Sequence, residues 1–182
     1  IYQVAADHCG HSISFGGEIF DPGRFFKSAH DELLFPTGVN CPALATRQRL
    51  WPAVEAAETR SDANLATSWQ GHIPEELTGT AANRLAVEFG QYLADYLVSV
   101  VHLVVMPASL GETSRMRALC TSREVGPDGF GLKNRFNLSV AARQERGFPI
   151  SPRSELSDLR AAWSEICLAH IEERNSSFPV VS

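Results

Sequence analysis

The sequence predicts an α/β fold, and three stretches carry that expectation. Val98–Met106 is nearly unbroken in β-branched and aliphatic residues, as in a strand covered on both faces, and Pro107 and Gly111 end it. After a loop, Arg115, Arg117, Leu119 and Thr121 alternate with Met116, Ala118 and Cys120, which is the period-2 pattern of a second strand. Around this pair lie long stretches of helical period. One runs from a cap at Thr78 or Thr80 to Leu97, with Leu85, Phe89, Leu93 and Tyr96 or Leu97 as its buried stripe. The other starts at Ser151 with Pro152 in its first position and buries Leu156, Leu159, Trp163, Ile166 and His170.

The remaining elements follow in order. Ile1–Ala6 reads as a short strand. Asp7–His11 (DHCGH) reads as a turn; it is either a solvated turn or a metal cluster, although its spacing matches no standard zinc pattern. His30–Pro36 is a second strand and Thr37–Pro42 a loop. Thr46 to about Ala66 is mostly helical, with Leu50, Val54, Ala57 and Leu65 near one face and Pro52 in the first turn. Thr67–Ile73 is a third strand. Gly126-Pro127-Asp128-Gly129 is a turn, Phe130–Val140 irregular and basic, and Asn175–Ser182 a C-terminal tail.

Bulk composition bounds the function. At 182 residues, 44% hydrophobic and 20% charged, residues 1–182 have room for one domain with a real core. No apolar run approaches the length of a membrane span, and no signal peptide is visible. Four scattered cysteines (Cys9, Cys41, Cys120, Cys167) without a CxxC pair fit reduced thiols, hence a cytoplasmic protein. The net charge of −5 disfavours a general nucleic-acid binder. The charge is uneven, however. Arg115–Arg146 holds seven basic residues against Glu124, Asp128 and Glu145, or +4, which leaves −9 for the rest.

Several phrases resemble one family. HDELLFP (His30–Pro36), RLWPAVEAAETRSDANLA (Arg49–Ala66), HIPEELT (His72–Thr78), RLAVEFGQYLADYL (Arg84–Leu97) and TSREVGPDGFGLK (Thr121–Lys133) are similar, in order, to the relaxase domain of MobA/MobL mobilisation proteins. Those are DNA-nicking enzymes of the HUH endonuclease type. The resemblance implies a central, mainly antiparallel sheet with helices packed on it. It also implies a metal held by histidines on the two central strands, and a tyrosine nucleophile.

The residues for that chemistry are missing from their expected places. Anchored on Pro107, the family's His-Ala-Pro-His falls on Val105 and Ala108; anchored on Thr121-Ser122-Arg123, its His-x-His falls on Arg115 and Arg117. No histidine occurs from Leu103 to Ala169. His102 faces away from Val105 in a regular strand and reads as a core or edge histidine. Thr67-Ser68 stands where the family has Arg-Glu, and no tyrosine occurs between Tyr2 and Tyr92. Valine and arginine offer a divalent cation no lone pair.

The expectation is therefore a relaxase-like module with no catalytic residue, metal or other cofactor, which acts by binding. Its expected partners are a protein of conjugation or type IV secretion machinery and single-stranded DNA, with no membrane. The residues expected to hold phosphate are Arg115, Arg117, Arg123, Lys133 and Arg135; the plainer alternative is that they pair with acids such as Glu112 or Glu124. The competing class is an active nicking enzyme with an unusual site, such as the His8/Cys9/His11 turn, its nucleophile among Tyr2, Tyr92 and Tyr96.

Overall fold

The structure, a computed structural model, describes residues 1–10, 12–15, 18–23, 27–108 and 113–177. Its centre is a four-stranded antiparallel sheet. The strands are β3 (His30–Leu34), β4 (Ala66–His72), β5 (Val101–Met106) and β6 (Arg115–Thr121), in the order β3-β5-β6-β4. The two strands read from the sequence are adjacent and central, with Val104 opposite Arg117 and Met106 opposite Arg115. β5 is buried over Val101–Val105, as an unbroken aliphatic run requires when both faces are covered.

One face carries α3 (Thr80–Leu97) and α5 (Arg153–Ser177). Leu85, Phe89, Leu93 and Leu97 of α3 meet Val101, Leu103, Val105, Met116, Ala118 and Cys120 of the sheet. Each fully buried leucine here contributes about 1.5–3 kcal/mol. Small residues let the layers approach. A Cβ on Gly90 would lie 2.7 Å from a Leu34 methyl, and one on Gly71 of β4 would lie 2.8 Å from the Trp163 ring of α5. The N-cap of α3 is Gly79, so Thr80 is its first residue and neither threonine caps it through its side chain. α5 begins at Arg153, so Pro152 precedes the helix rather than taking its first position, and the Ser151 hydroxyl accepts the Arg153 N–H at 3.4 Å. α5 runs to Ser177, so the expected tail begins inside a helix; residues 178–182 lie outside the described chain.

The other face carries α1 (Tyr2–Cys9) and α2 (Arg47–Ala56). The strand expected over Ile1–Ala6 is thus a helix. Tyr2, Ala5, Ala6 and Cys9 are its buried residues along with His8. Positions 2, 5, 6 and 9 recur at helical spacing, and six residues were too few to separate that period from alternation. Gly10 closes α1 in the left-handed conformation with its N–H on the Ala6 carbonyl. α2 is shorter than expected and holds Pro52 in its interior rather than its first turn, with Leu50, Trp51 and Val54 buried. The segment 13–20, given no element in advance, contains a hairpin of β1 (Ile13–Phe15) and β2 (Glu18–Phe20).

After β6, β7 (Arg123–Gly126) and β8 (Gly129–Lys133) form a second hairpin through the expected Gly126–Gly129 turn, with Gly129 at φ 113°. The irregular segment expected from Phe130 therefore begins as a strand, and a short α4 (Val140–Glu145) follows with Ser139 as its cap. Among the described residues, no helix is long and apolar enough to cross a membrane.

Candidate phosphate-binding face

Alternation along β6 sends Met116, Ala118 and Cys120 into the core under α3 and α5, and Arg115, Arg117 and Leu119 to the α1 side. Register adds β4: Ser68 lies opposite Leu119, Gln70 opposite Arg117 and His72 opposite Arg115, and all three are exposed. The α1 side is thus covered over β3 and β5 and uncovered over β4. On the uncovered part sit two half-buried guanidinium groups flanked by an amide and an imidazole. Arg117 reaches the Asp7 carbonyl through Nη1 at 3.3 Å, and His72 Nδ1 lies 3.3 Å from the Thr113 hydroxyl. Gln70 and His72 were missed in the sequence. Their only signal is the polar alternation of Ser68, Gln70 and His72, which has no meaning until the register is known.

The other three basic residues lie elsewhere. Arg123 at the start of β7 and Lys133 at the end of β8 converge on Glu58, through Arg123 Nε at 2.8 Å and Lys133 Nζ at 2.6 Å. Burial pushes the Glu58 carboxyl up, but its bonds to Arg123 and Lys133 outweigh that and hold it below the usual carboxylate range. Arg135 is on the α3/α5 side. Its guanidinium lies 4.2 Å from the Tyr96 ring centre and 4.5 Å from that of Phe148, and bonds Glu155 at 2.5 Å. Glu155 is also paired to the buried Arg143. Of the two acids weighed as partners, Glu124 takes Arg146 at 2.7 Å and Glu112 lies outside the described residues. The five residues therefore divide into Arg115 with Arg117, Arg123 with Lys133, and Arg135 alone.

Beneath α1 is a buried polar cluster. His8 Nε2 donates to the His102 carbonyl at 2.8 Å, and the two rings meet edge-on at 4.7 Å. His102 Nε2 donates to Asp31 at 3.1 Å, and the second oxygen of Asp31 takes Arg47. Burial lowers both histidines, His8 to about 3. Burial would raise Asp31, but the His102 bond and the Arg47 charge leave it below the usual carboxylate range. His102 lies on the face opposite Val105, as expected, and is fully buried. The Asp7–His11 stretch is not a solvated turn, since His8 and Cys9 are buried on α1; His11 lies outside the described residues.

The sheet also corrects one placement. Val105, aligned with a metal-binding histidine, faces the α3/α5 core and so lies on the opposite side from Arg115 and Arg117. The β5 residues that share the arginines' face are His102, Val104 and Met106. Buried Val104 and half-buried Met106 beside two arginines do not fit a divalent cation that needs carboxylate or imidazole ligands. Among the described residues, no group of three or more His, Cys, Asp or Glu side chains could hold a metal.

Tyr2 is the one tyrosine on the α1 side. Its hydroxyl donates to Glu55 of α2 at 2.6 Å and its ring packs 5.2 Å from Phe20. Burial and the Glu55 carboxylate raise its pKa. Tyr92 and Tyr96 stack on each other along α3, at 5.9 Å, on the side away from the arginines.

This arrangement can be set beside known proteins. The family model described as MobA/MobL matches residues 17–180. The chain belongs to the MobA/MobL family. A solved relaxase-type structure, from work titled "Molecular Basis of Vancomycin Resistance Transfer in Staphylococcus aureus", has the same fold. The two superpose with a TM-score of 0.77 at 20% identity, over 98% of this chain and 87% of the other. No curated protein matches. As a MobA/MobL member with a relaxase-type α+β fold, the chain is a relaxase-related module.

Proposed function

We propose that this MobA/MobL domain works by binding rather than nicking, and holds phosphates of single-stranded DNA on the uncovered part of its sheet. The observation that carries this is the pair Arg115 and Arg117, side by side and half-buried on one face of β6, with exposed Gln70 and His72 across from them. A guanidinium grips phosphate through two parallel N–H bonds and needs no metal, and a strand spaces alternate side chains by roughly 7 Å, close to the pitch of successive phosphates. Arg123, Lys133 and Arg135 contribute only where a phosphate displaces their present carboxylate partners. The acidic remainder of the chain supports a protein partner, of the conjugation or type IV secretion machinery, as the second ligand. We place the protein in the cytoplasm, where its four buried free thiols would stay reduced.

One observation favours the second reading, an active nicking enzyme. α1 puts Tyr2 on a helix followed by Ala5 and Ala6 rather than on a strand, and a small-residue helix is the setting in which the family carries its nucleophile. Against it stand the Glu55 bond on the Tyr2 hydroxyl and its place at the opposite end of α1 from Asp7, where Arg117 docks.

One experiment separates the two. The chain is incubated with a labelled oligonucleotide, with and without manganese, and run on a denaturing gel. The binding reading expects retention on a native gel and no covalent adduct. An adduct that Tyr2→Phe abolishes would establish nicking in its place. No retention even at low salt would end the DNA reading.

A further inference from the structure

His8 and His102 take no part in phosphate binding, yet both are buried and in contact where α1 crosses the sheet. We propose that α1 is an acid-released latch: neutral His8 and His102 hold it on the sheet, and protonating the pair undocks it and frees Arg117 from the Asp7 carbonyl.

The geometry leaves no room for the added charge. Four charged groups among the described residues face the pair or flank it: Asp7 on α1, Asp31 on β3, Arg47 on α2 and Arg117 on β6. The Asp7 carboxylate is turned away, accepting the Gly23 N–H at 2.6 Å and the Gln3 amide at 3.1 Å. Asp31 already serves both Arg47 and His102. Two imidazolium rings 4.7 Å apart would therefore add two charges beside two arginines, with one committed carboxylate to balance them. The proton on His102 would go to Nδ1, which is buried without a partner, so its new N–H would have no acceptor.

What opposes release is small. The buried residues of α1 are Tyr2, Ala5, Ala6, His8 and Cys9, and Tyr2 is the only large one that is mainly apolar. Each histidine that gains a proton on opening raises the open population by up to tenfold per pH unit. For His8 that dependence runs from its ordinary value near 6.5 down to about 3.

Hydrogen exchange of the whole chain, without ligand, tests this independently of the phosphate-binding reading. Protection factors corrected for intrinsic rates are compared for the amides of α1, α3 and β5 at about pH 7 and about pH 5. The expected result is a ten- to hundredfold loss of protection confined to α1. His8→Gln keeps an N–H donor near the Nε2 position and cannot titrate, so it should remove at least tenfold of that pH dependence. If His8→Gln does not fold, ring proton shifts of the unsubstituted chain decide: His8 should titrate together with the loss of α1 protection. Protection of α1 that tracks β5 at both pH values, a His8→Gln chain with undiminished pH dependence, or a His8 ring that gains its proton while α1 stays protected would each overturn the latch.

Discussion

The Arg117 guanidinium donates to the Asp7 main-chain carbonyl at 3.3 Å. A cation of the sheet thereby meets the last turn of α1, where helix carbonyls lack partners and the helix dipole is negative. The same side chain that faces the uncovered surface also ties a helix down, so its removal has two separable effects.

Arg115→Gln together with Arg117→Gln should lower single-stranded DNA affinity and flatten the dependence of log K on log salt by roughly one to two units, since each lost phosphate contact forgoes its released counterion. Fluorescence anisotropy over a salt series checks it. An unchanged slope would move the binding surface away from β6. Thermal melting of Arg117→Gln should separately show a loss of about 0.5–1 kcal/mol from the helix terminus.

Glu58→Gln should release Arg123 and Lys133 from their shared carboxylate. Two cations then become available, so affinity for any single-stranded oligonucleotide should rise at low salt, with a steeper salt slope. Stability should fall by about 1–3 kcal/mol, because two partly buried cations lose the negative charge they share. Binding and urea denaturation measured on the same variant check both signs.

Whole-chain stability should fall on acidification in a defined window. His8 and His102 are lowered in the folded state, so the unfolded chain binds their protons first. Their contribution is complete above pH 6.5 or so and is lost as pH falls towards their folded values. Asp31, also lowered, adds a further loss once pH drops through the carboxylate range. Urea midpoints measured between about pH 7 and 4 should decline throughout. A flat profile down to pH 5 would contradict the histidine part.

Two substitutions test backbone and packing at the sheet edges. Gly71→Ala forces a Cβ to within 2.8 Å of the rigid Trp163 ring and should cost about 1–3 kcal/mol. Val98 closes α3 at φ 52°, a left-handed conformation that a β-branched residue adopts with strain, and it is 40% exposed. Val98→Gly should therefore stabilise the chain by about 0.5–1 kcal/mol. Melting temperatures moving in opposite directions check the pair.

The sequence by itself determined what local pattern and residue chemistry can encode. The aliphatic run of β5, the alternation of β6, the stripe of α3 and the Gly126–Gly129 turn all stood in the chain, because period and turn chemistry are properties of neighbouring residues. So did the chemistry of Val105, Arg115 and Arg117, since valine and arginine offer a divalent cation no lone pair. Tertiary structure decided the rest. It made Ile1–Ala6 part of a helix, because a stripe on Tyr2, Ala5, Ala6 and Cys9 can be satisfied only against a sheet that lies far along the chain. It placed Gln70 and His72 beside Arg117 and Arg115 through a strand register that no local signal specifies. It also brought Glu58 to Arg123 and Lys133 and Glu155 to Arg135, which divided one basic segment into three surroundings. Which charge meets which partner depends on the order of strands in the sheet, and that order is set by how the whole chain buries its apolar faces.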